Sequence, residues 1–571
     1  MNGDLMKLRH LVIKNFRGIQ ILDWKISTDM ICLIGPGDST KTTILDAIET
    51  VLSPRWNIAF SDLDFYLSDT RQPIEIIATI TDLPKKLIQE DKYGLFLNFW
   101  NFQDGDHDEE KESDEYSLII NLTVEANLEP QWFVINKQTG EKRNISASDR
   151  ELLGVAQIGG YVDRDLSWGR NSALTRLTGK ERIEEIPAIL AEATRTARVA
   201  LQNADLKQLT ESAKELETTS QNLGVKAKSG FHPGMDPLGI NINMGAITLL
   251  DGEIPLRSGG LGSRRLLVMA IHKNCSKDGS ILLIDEIENG LEPFRLRNLI
   301  RSLRPSKKDS CQCFITTHSA ISIVEHKSDE LFVVHSENGK TIVEQVASSL
   351  QNIVRGIPEA FLAKSIIVCE GKTEWGLCRA LDEYWQTQGN PPLACMGVEP
   401  ICSPKSGGSE APTYAIELAK LGFRIAYFGD SDVPLTPSKD EMESKGIKVI
   451  LWADNLEIER RFCLDLPLEA ISEFISLAIH ENETVDGVWN QIKKSSQLDS
   501  NDFSRDISQL IKKKSEMEIR LAVGIAADQG KWFKRQDKGE ELGKLVFSHL
   551  NTISKTDSGL KLHELAEWCY A

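Results

Sequence analysis

A strand, a glycine-rich turn and a helix follow one another directly at residues 31–52. The apolar run I-C-L-I leads into G-P-G-D-S-T-K-T-T at 35–43, and the helical pattern I-L-D-A-I-E-T-V-L comes next. In this setting backbone N–H groups and a helix N-terminus cradle phosphates, Lys41 reaches the outer ones, and Thr42 offers its hydroxyl to magnesium. The pattern predicts an α/β nucleotide-binding domain. The residues predicted to line its phosphate loop are Gly35, Gly37, Asp38, Thr40, Lys41, Thr42 and Thr43.

One position departs from the usual phosphate-loop pattern. Thr40 stands where glycine usually precedes the lysine. The loop is therefore either a working phosphate loop or a strained or degenerate loop that binds no nucleotide. The other motifs have to distinguish these alternatives.

Three further motifs supply the other parts of an ATPase site. S-I-L-L-I-D-E at 280–286 has the pattern of a buried strand that delivers Asp285 to magnesium and Glu286 to the attacking water. C-F-I-T-T-H-S-A at 313–320 is another such strand and ends in His318, while R-S-G-G-L-G-S-R-R at 257–265 is a glycine-rich turn that enters a helix. Each motif alone is more often structural than catalytic, but four elements in this order favour a working ATP site.

The size and charge of the chain limit what it can do. At 571 residues, and with about 100–200 residues per domain, the chain holds about three or four structural units. Its net charge of −18 has the wrong sign for coating nucleic acid, so any nucleic-acid contact is local or bridged by metal ions. The ten cysteines include no C-x-x-C pair, which argues against structural zinc. With no long apolar run and no signal segment, we expect a cytoplasmic protein.

Two segments carry no nucleotide motif. Residues 181–222 have apolar positions at helical spacing and contain no glycine or proline after Pro187, so we expect a helical arm. Its apolar face either packs in the core or makes a dimer contact, and the sequence leaves both open. The acidic stretch 104–115 is expected to be a solvated hairpin loop, because Glu109 replaces the glycine that a calcium-binding EF-hand loop needs.

The second half of the chain carries acids at the ends of two predicted strands. K-S-I-I-V-C-E-G-K-T-E at 364–374 places Glu370 at a strand end and Glu374 one helical turn later, and Asp430 and Asp432 follow the strand R-I-A-Y-F. Parallel strands gather their carboxyl ends on one edge of a sheet, so these four acids can converge. Clustered carboxylates repel one another unless cations lie between them, and oxygen-only ligands favour magnesium or manganese.

The order of the motifs in residues 5–345 resembles the ABC-type ATPase heads of the structural-maintenance, recombination-clamp and overcoming-lysogenization-defect (OLD) proteins. These heads also tend to carry an N-F-R-G element, which is Asn15–Gly18 here and contains Arg17. The resemblance implies that two heads sandwich ATP between the phosphate loop of one and the signature turn of the other. It implies that S-D-L-D-F-Y at 61–66 occupies the glutamine loop, although it has no glutamine. The ATP-binding residues implied outside the phosphate loop are Arg17, Ser258, Gly259, Gly260, Asp285, Glu286 and His318, with the last sensing the γ-phosphate.

The sequence E-G-K-T-E followed by a D-x-D pair resembles the TOPRIM fold of topoisomerases, primases and OLD nucleases. An ATPase head followed by a TOPRIM domain is the layout of the OLD family, which this chain resembles over nearly its whole length. The resemblance implies a glycine turn at Ser406-Gly407-Gly408. It also implies a further acid, for which we prefer Glu457 over Glu459, and a late lysine, for which we prefer Lys534 over Lys531 and Lys538. The implied metal-binding and catalytic set is Glu370, Glu374, Asp430, Asp432, Glu457 and Lys534, with Thr42 and Asp285 holding metal at the ATP site and Glu286 promoting hydrolysis.

These inferences predict an α/β protein with four parts. We expect an ATPase head in two pieces, 1–165 and 239–355, a helical dimerisation insertion at 166–238, and a TOPRIM nuclease domain at 356–571. The expected function is ATP-dependent and Mg²⁺- or Mn²⁺-dependent cleavage of DNA by a dimer or larger assembly, in bacterial defence against phage. Relatives act with a helicase, or with a reverse transcriptase and its non-coding DNA. The alternative is an ATP-driven DNA clamp or scaffold whose TOPRIM domain does not cut.

Overall fold

The structure of the chain is a computed structural model. It describes residues 6–571 except 56, 104, 108–113, 160–162, 170–171, 179–185, 203, 205, 223–224, 226–227, 234–243, 276–280, 305–310, 403–409, 483 and 500–501. Most of the acidic stretch 104–115 and all of the predicted Ser406-Gly407-Gly408 turn lie outside the described residues.

The strands of the described residues are β1 (Lys7–Phe16), β2 (Ile19–Lys25), β3 (Met30–Ile34), β4 (Ile74–Thr81), β5 (Asn98–Asn101), β6 (Gly105–His107), β7 (Glu115–Val124), β8 (Pro130–Ile135), β9 (Lys142–Asn144), β10 (Ala156–Ile158), β11 (Leu250–Asp251), β12 (Ile254–Pro255), β13 (Ile281–Ile284), β14 (Gln312–Thr316), β15 (Leu331–Glu337), β16 (Lys340–Gln345), β17 (Ser365–Cys369), β18 (Val398–Cys402), β19 (Arg424–Gly429) and β20 (Lys448–Leu451).

The α-helices of the described residues are α1 (Lys41–Leu52), α2 (Ala147–Arg150), α3 (Ala173–Thr178), α4 (Ile186–Gln202), α5 (Lys207–Asn222), α6 (Leu261–Cys275), α7 (Pro293–Leu303), α8 (Ala320–Glu325), α9 (Gln351–Gly356), α10 (Lys372–Thr387), α11 (Leu393–Met396), α12 (Ala411–Lys420), α13 (Lys439–Ser444), α14 (Ile458–Asp465), α15 (Leu468–Asn482), α16 (Val485–Ser496), α17 (Ile507–Leu510), α18 (Glu516–Gly530), α19 (Gln536–Ser548), α20 (Leu550–Ile553) and α21 (Asp557–Tyr570).

The first half of the chain forms a large mixed sheet. Its hydrogen-bonded order is β10-β13-β14-β3-β15-β16-β2-β1-β4-β7-β5-β6, with β8 and β9 added beside β7. The strands β10, β13, β14, β3 and β15 run parallel to their neighbours. Each is short and wholly or mostly apolar, as expected of strands covered on both faces. The carboxyl ends of β13, β14 and β3 therefore lie side by side, which places the three predicted ATPase motifs at one edge.

The second half contains a separate four-stranded sheet in the order β18-β17-β19-β20. All of its neighbouring strands are parallel. Cys369 pairs with Phe428 in the register of β17 and β19, so Glu370 and Asp430 leave the sheet at the same edge. Helices then make up the chain from α14 to α21, which completes the α/β fold predicted from the sequence.

The two sheets share one hydrophobic core. A single cluster of buried residues includes Ile34 and Val333 of the large sheet together with Val368, Tyr427 and Val449 of the small one. No run of exposed linker separates them at this point, because the segment 346–363 itself buries residues in the same cluster. The two halves are therefore packed against each other rather than tethered.

A contact between β15 and β19 lies within this shared core. β15 pairs with β3, the strand that leads into the phosphate loop. Its His335 ring packs edge-on against Phe423, with ring centroids 4.9 Å apart, and a Cβ added at Gly422 would lie 2.8 Å from His335 Cδ2. Phe423 directly precedes β19, the strand that leads to Asp430. This contact, which we call the β15–β19 joint, therefore connects the neighbour of the phosphate-loop strand with the strand that leads to the acid cluster.

In its described residues, the helical arm predicted at 181–222 forms the helices α4 and α5. The boundary at 166 needs adjustment, because Leu166, Ala173 and Leu174 are buried in the core of the head. Side chains farther along are different: Ile189, with 64% of its surface exposed, and Leu216, with 61%, have little cover in this single chain. The projecting part of the insertion therefore begins after α3.

Within the described residues, no helix combines the length and apolar character needed to span a membrane.

Candidate active sites

The phosphate loop runs from β3 to α1 and holds its lysine inward. Lys41 is buried, and its Nζ donates to Gly35 O at 3.1 Å, Pro36 O at 2.7 Å and Ser39 Oγ at 2.9 Å. Burial lowers the pKa of Lys41 to about 8, against the opposing pull of nearby acids such as Asp38. These three loop oxygens accept the hydrogen bonds of the Lys41 ammonium. Phosphate oxygens would accept the same hydrogen bonds from Lys41 in a loop that holds a nucleotide. Gly35 is required here, because an added Cβ would lie 2.7 Å from Val334 O.

The backbone conformation of Thr40 explains why most phosphate loops have glycine at this position. Its φ is +69° and that of Asp38 is +60°, a left-handed region in which a Cβ is disfavoured. The side chain nevertheless has a place: Thr40 Oγ1 lies 3.3 Å from Thr341 Oγ1, and its Cγ2 fills the space next to Gly18. The loop thus has the turn of a phosphate loop despite the threonine.

Asp285 links the ends of three neighbouring elements. Thr42 Oγ1 donates to Asp285 Oδ1 at 3.1 Å, and Thr316 Oγ1 donates to the same oxygen at 2.6 Å. Thr316 Oγ1 in turn accepts from the backbone N–H of Glu286 at 2.8 Å. Glu286 is exposed and has a φ of +48°. The structure therefore brings Thr42, Asp285 and Glu286 together at the sheet edge, as the sequence predicts.

Arg265 is a residue that the sequence analysis missed. It is fully buried in α6, and its Nη2 donates to the backbone carbonyls of Asp285, at 2.8 Å, and Glu286, at 3.0 Å. A buried guanidinium that caps these two carbonyls fixes the turn that carries both acids. Its only sequence signal is the arginine pair after the signature turn.

Glu288 is a second residue outside the predicted set. Its carboxylate accepts from Thr317 Oγ1 at 2.6 Å and from the backbone N–H of His318 at 2.7 Å. His318 itself is exposed beyond β14. Glu288 therefore holds the backbone of the histidine beside the turn that carries Glu286.

The other predicted ATP-binding residues of the head are exposed or half-buried. Arg17 donates to Asp64 Oδ1 at 3.0 Å and to Asp46 Oδ2 at 2.5 Å, so it is engaged with acids rather than aimed at an open loop. Ser258, Gly259 and Gly260 are exposed at the start of α6. This exposure suits contact with another molecule, and the predicted contact in trans stays a prediction. Gly37 and Asp38 are exposed in the loop, and Thr43 is half-buried in the first turn of α1.

The second site lies at the carboxyl edge of the small sheet. Glu370, Asp430 and Asp432 each offer a carboxylate oxygen, and these oxygens all lie within 4.8 Å of one another. Backbone groups fix two of them. Glu370 Oε2 accepts from the N–H of Asp430 at 2.8 Å, and Asp430 Oδ1 accepts from the N–H of Ile458 at 2.8 Å. Asp432 is exposed, so the cluster opens toward solvent on that side.

Glu374 lies behind these three acids. It is buried, and its Oε2 accepts from the N–H of Gly371 at 2.9 Å, which caps α10. Burial raises the pKa of Glu374 to about 7. Burial, with Glu374 and Glu370 nearby, also raises the pKa of Asp430. Burial and mutual repulsion therefore disfavour the charged forms of Glu374 and Asp430. A bound cation would reduce this repulsion and favour the charged carboxylates.

Of the two candidate glutamates, Glu459, and not the preferred Glu457, contacts the lysine beside this cluster. Glu459 is completely buried, and its Oε2 lies 3.2 Å from Lys534 Nζ. Glu457 instead pairs with Arg460, with Glu457 Oε2 2.9 Å from Arg460 Nε. The reason is helical geometry: Glu457 is the N-cap of α14, while Glu459 is in its first turn. The two glutamates therefore have different partners: Glu459 lies against Lys534, and Glu457, whose side chain is 14% exposed, lies against Arg460.

Lys534 is the lysine that reaches the acids. Besides Glu459, it lies 3.6 Å from Asp528 Oδ1. Although burial acts in the opposite direction, Glu459, Asp430 and Glu374 raise the pKa of Lys534, so it stays protonated. Lys538 Nζ donates to Glu481 O at 2.9 Å, and Lys531 is exposed at the end of α18. The structure thus separates Lys534 from its two alternates.

Close contact between α10 and α19 fixes Lys534. A Cβ added at Gly376 would lie 2.2 Å from Gln536 O, and one added at Gly539 would lie 2.6 Å from Thr373 O. Thr373 Oγ1 donates to Phe533 O at 2.9 Å, one residue before the lysine. The backbones of the two helices therefore touch, and this contact was not predicted from the sequence.

The donor set fits a hard divalent cation. All of the converging side chains offer carboxylate oxygen, which magnesium and manganese prefer. Glu459 Oε1 and Glu457 Oε2 are both buried and make no hydrogen bond among the described residues. A buried carboxylate oxygen without a hydrogen bond is costly, and a cation bound nearby would offset that cost.

Comparison with known proteins identifies the class of each part of the head. Residues 6–152 match the family model "AAA ATPase domain", and residues 175–325 match the model "AAA domain, putative AbiEii toxin, Type IV TA system". Both matches cover the motifs described above, so the first half of the chain is an ATPase domain.

A curated relative is similar to the chain beyond the head. The OLD nuclease of Thermus scotoductus (strain ATCC 700910 / SA-01) is 25% identical over 437 residues, which span 70% of this chain and 78% of the relative. The resemblance to OLD-family ATPases and nucleases is thereby confirmed.

Two solved structures also match part of the chain. The Smc head domain bound to the C-terminal domain of ScpA derived from Pyrococcus furiosus is 13% identical at a TM-score of 0.36, covering 60% of this chain and 97% of that one. The recombination mediator RecF bound to ATP is 13% identical at a TM-score of 0.31, covering 60% and 99%.

Proposed function

We propose that this protein is an ATP-dependent and divalent-metal-dependent DNA endonuclease of the OLD type, in which the small sheet and the helices after it form a TOPRIM nuclease domain. The observation that carries the proposal is the convergence of oxygens from Glu370, Asp430 and Asp432 within 4.8 Å at the carboxyl edge of a parallel sheet. A structural sheet has no need for buried acids at this edge, since each raises the cost of burying the others.

The side chains divide the work of phosphodiester cleavage between them. Glu370, Asp430 and Asp432 would hold Mg²⁺ or Mn²⁺, which supplies Lewis-acid stabilisation of the charge that develops on the phosphate oxygens. Lys534 carries a fixed positive charge at the edge of the cluster, where it can neutralise the scissile phosphate or assist the leaving oxygen. Glu459 and Asp528 hold that ammonium in place.

The ATPase head uses its own set of groups. Lys41 would exchange its loop carbonyls for phosphate oxygens, and Thr42 with Asp285 would hold the magnesium that accompanies ATP. Glu286 is free to orient water at the exposed edge. We propose that the signature turn at Ser258–Gly260 closes the site of a second head, so the working species is a dimer or a larger assembly in which ATP controls DNA cutting.

The decisive experiment measures nicking of supercoiled plasmid with and without magnesium. We expect cleavage to require added Mg²⁺ or Mn²⁺, to vanish with a chelator, and to be abolished in the variants Glu370→Ala, Asp430→Ala and Asp432→Ala. ATP hydrolysis serves as the internal control and should persist in each of them. Lys534→Ala should slow cleavage steeply. Nicking that continues unchanged in an Asp430→Ala, Asp432→Ala double variant would refute the site and favour a non-cutting clamp.

The biological setting is proposed from the family resemblance alone. We propose a role in bacterial defence against phage, together with a partner encoded nearby, either a helicase or a reverse transcriptase with its non-coding DNA. Expressing the gene with its neighbours and counting phage plaques tests this, with the Asp430→Ala form as the control. Equal plaque numbers in the two strains, across a panel of phages, would contradict the role.

A further inference from the structure

We infer a second DNA contact, a site for backbone phosphates on the face of the head formed by α7, the turn after α8, and α9. A cavity of about 420 Å³ opens there, lined by residues that include Arg301, Arg304, His326, Lys327 and Arg355. The inference rests on the proposed function, because it supplies the substrate contact that a strongly acidic chain needs.

Helix α7 presents a row of arginines to this face. Arg297 and Arg301 stand four residues apart on one side of the helix, and Arg304 follows as its C-cap residue. The other side of α7 is anchored, since Leu296, Leu299, Ile300 and Leu303 are buried. The arginines therefore have a fixed base, and the row spans about 10 Å at 1.5 Å per residue.

The positive charge on this face exceeds its local compensation. Arg297 and Arg301 share one carboxylate, that of Glu325, at 3.2 and 3.1 Å, and Arg304 pairs with Glu330 at 3.2 Å. Lys327 and Arg355 are exposed, and neither makes an ion pair with any residue in the described part of the chain. Among the described residues, these five cationic side chains have only two acids as ion-pair partners, in a protein whose net charge is −18.

A buried histidine points to a ligand at the same place. His326 is only 1% exposed, and its Nδ1 lies 2.8 Å from Ser322 O, to which it donates. Its Nε2 is buried and has no hydrogen-bond partner among the described residues. Because Nδ1 carries the proton, Nε2 is an acceptor that no described residue satisfies, and a water molecule that bridges to a bound phosphate would donate to it.

Phosphodiester is the anion that best matches this arrangement. Guanidinium groups form two parallel hydrogen bonds with phosphate, and the row on α7 follows a line, as backbone phosphates do. An acidic peptide would use the same charges, and the experiment below separates the two ligands.

The test measures binding of a fluorescent DNA duplex by anisotropy in the presence of a chelator, so that the acid cluster holds no metal. We expect the Lys327→Ala, Arg355→Ala double variant to bind at least about tenfold more weakly at moderate salt, and to lower the slope of log affinity against log salt by about two, since each phosphate contact contributes about 0.9. The conservative Lys327→Arg, Arg355→Lys variant should keep both affinity and slope.

The matched control removes two other exposed cations, Lys85 and Lys86, which lie after β4, and should leave binding unchanged. Unchanged ATP hydrolysis in all of these variants shows that they fold. Equal affinity and slope in the double variant would overturn the site while leaving the nuclease proposal intact. A site that binds polyglutamate, with the double variant losing polyglutamate but not DNA, would also overturn it. Failure of wild-type protein to bind any duplex would instead contradict the proposed function itself.

Discussion

At the scale of single residues, the sharpest contrast lies between Glu459 and Glu457. The first is buried against Lys534 and the second pairs with Arg460 outside the cluster. We expect Glu459→Gln to reduce plasmid nicking about 10- to 100-fold, as the loss of a charged group that positions a metal centre does. Glu457→Gln, which differs by two positions in the same helix, should retain most activity. Equal losses in the two variants would show that α14 matters only as a whole.

A second prediction at this scale concerns the head. Because Lys41 is the buried cation of the phosphate loop, Lys41→Ala should abolish ATP binding as measured by calorimetry with magnesium present. Glu286→Gln should leave binding intact and stop turnover, because it removes only the group that orients water. The idea fails if wild-type protein itself shows no affinity for ATP, and the left-handed turn at Thr40 would then mark a degenerate loop.

Single residues also show where sequence reasoning reaches and where it stops. Glu370, Asp430 and Asp432 follow strands, so period and position were enough to predict their convergence. Glu457 and Glu459 share one helical turn, and only the direction in which α14 docks decides between them. Arg265 is marked only by the arginine pair after the signature turn, and the sequence does not show that its role is to donate to two main-chain carbonyls.

At the scale of elements, the packing of α10 on α19 should set the geometry of the nuclease site. An added methyl at Gly376 or Gly539 would meet main-chain atoms of the facing helix, so the helices would have to separate. We expect Gly376→Ala to cost about 1–3 kcal/mol of stability and to abolish nicking, with ATP hydrolysis kept. Urea unfolding and the plasmid assay measure the two effects.

The control for that variant lies on the exposed side of α19. Glu541→Ala changes the same helix without facing α10, and it should alter neither stability nor nicking. Full nicking in the Gly376→Ala protein would mean that Lys534 does not depend on this contact.

The arm formed by α4 and α5 carries its own prediction. Ile189, Val199, Leu209 and Leu216 are each more than half exposed in the single chain, and exposed apolar side chains of this number indicate a partner. We expect Ile189→Asp with Leu216→Asp to give monomers in sedimentation experiments without nucleotide. Deleting the arm is a poorer test if it removes α3, which is packed in the head. A double variant that stays dimeric would show that another surface holds the assembly.

At the scale of the whole molecule, the shared core predicts how the protein unfolds. Since one buried cluster includes strands of both sheets, we expect a single cooperative transition in far-UV circular dichroism. Magnesium and ATP should raise its midpoint, with about 2.7 kcal/mol of stabilisation when ATP is at 100 times its dissociation constant. Lys41→Ala should remove this rise. Two separate transitions, of which only one responds to ATP, would show that the halves unfold independently.

The β15–β19 joint has a consequence for any control of cutting by ATP. His335 belongs to the strand beside the phosphate-loop strand, and Phe423 precedes the strand that delivers Asp430. If bound ATP shifts the acid cluster through this contact, the coupling between the two ligands must be reciprocal. ATP then changes the affinity for DNA by the same factor by which DNA changes the affinity for ATP. Bound DNA would then change the affinity of the head for ATP. The ratio of the ATP affinities measured with and without duplex would give the coupling free energy directly.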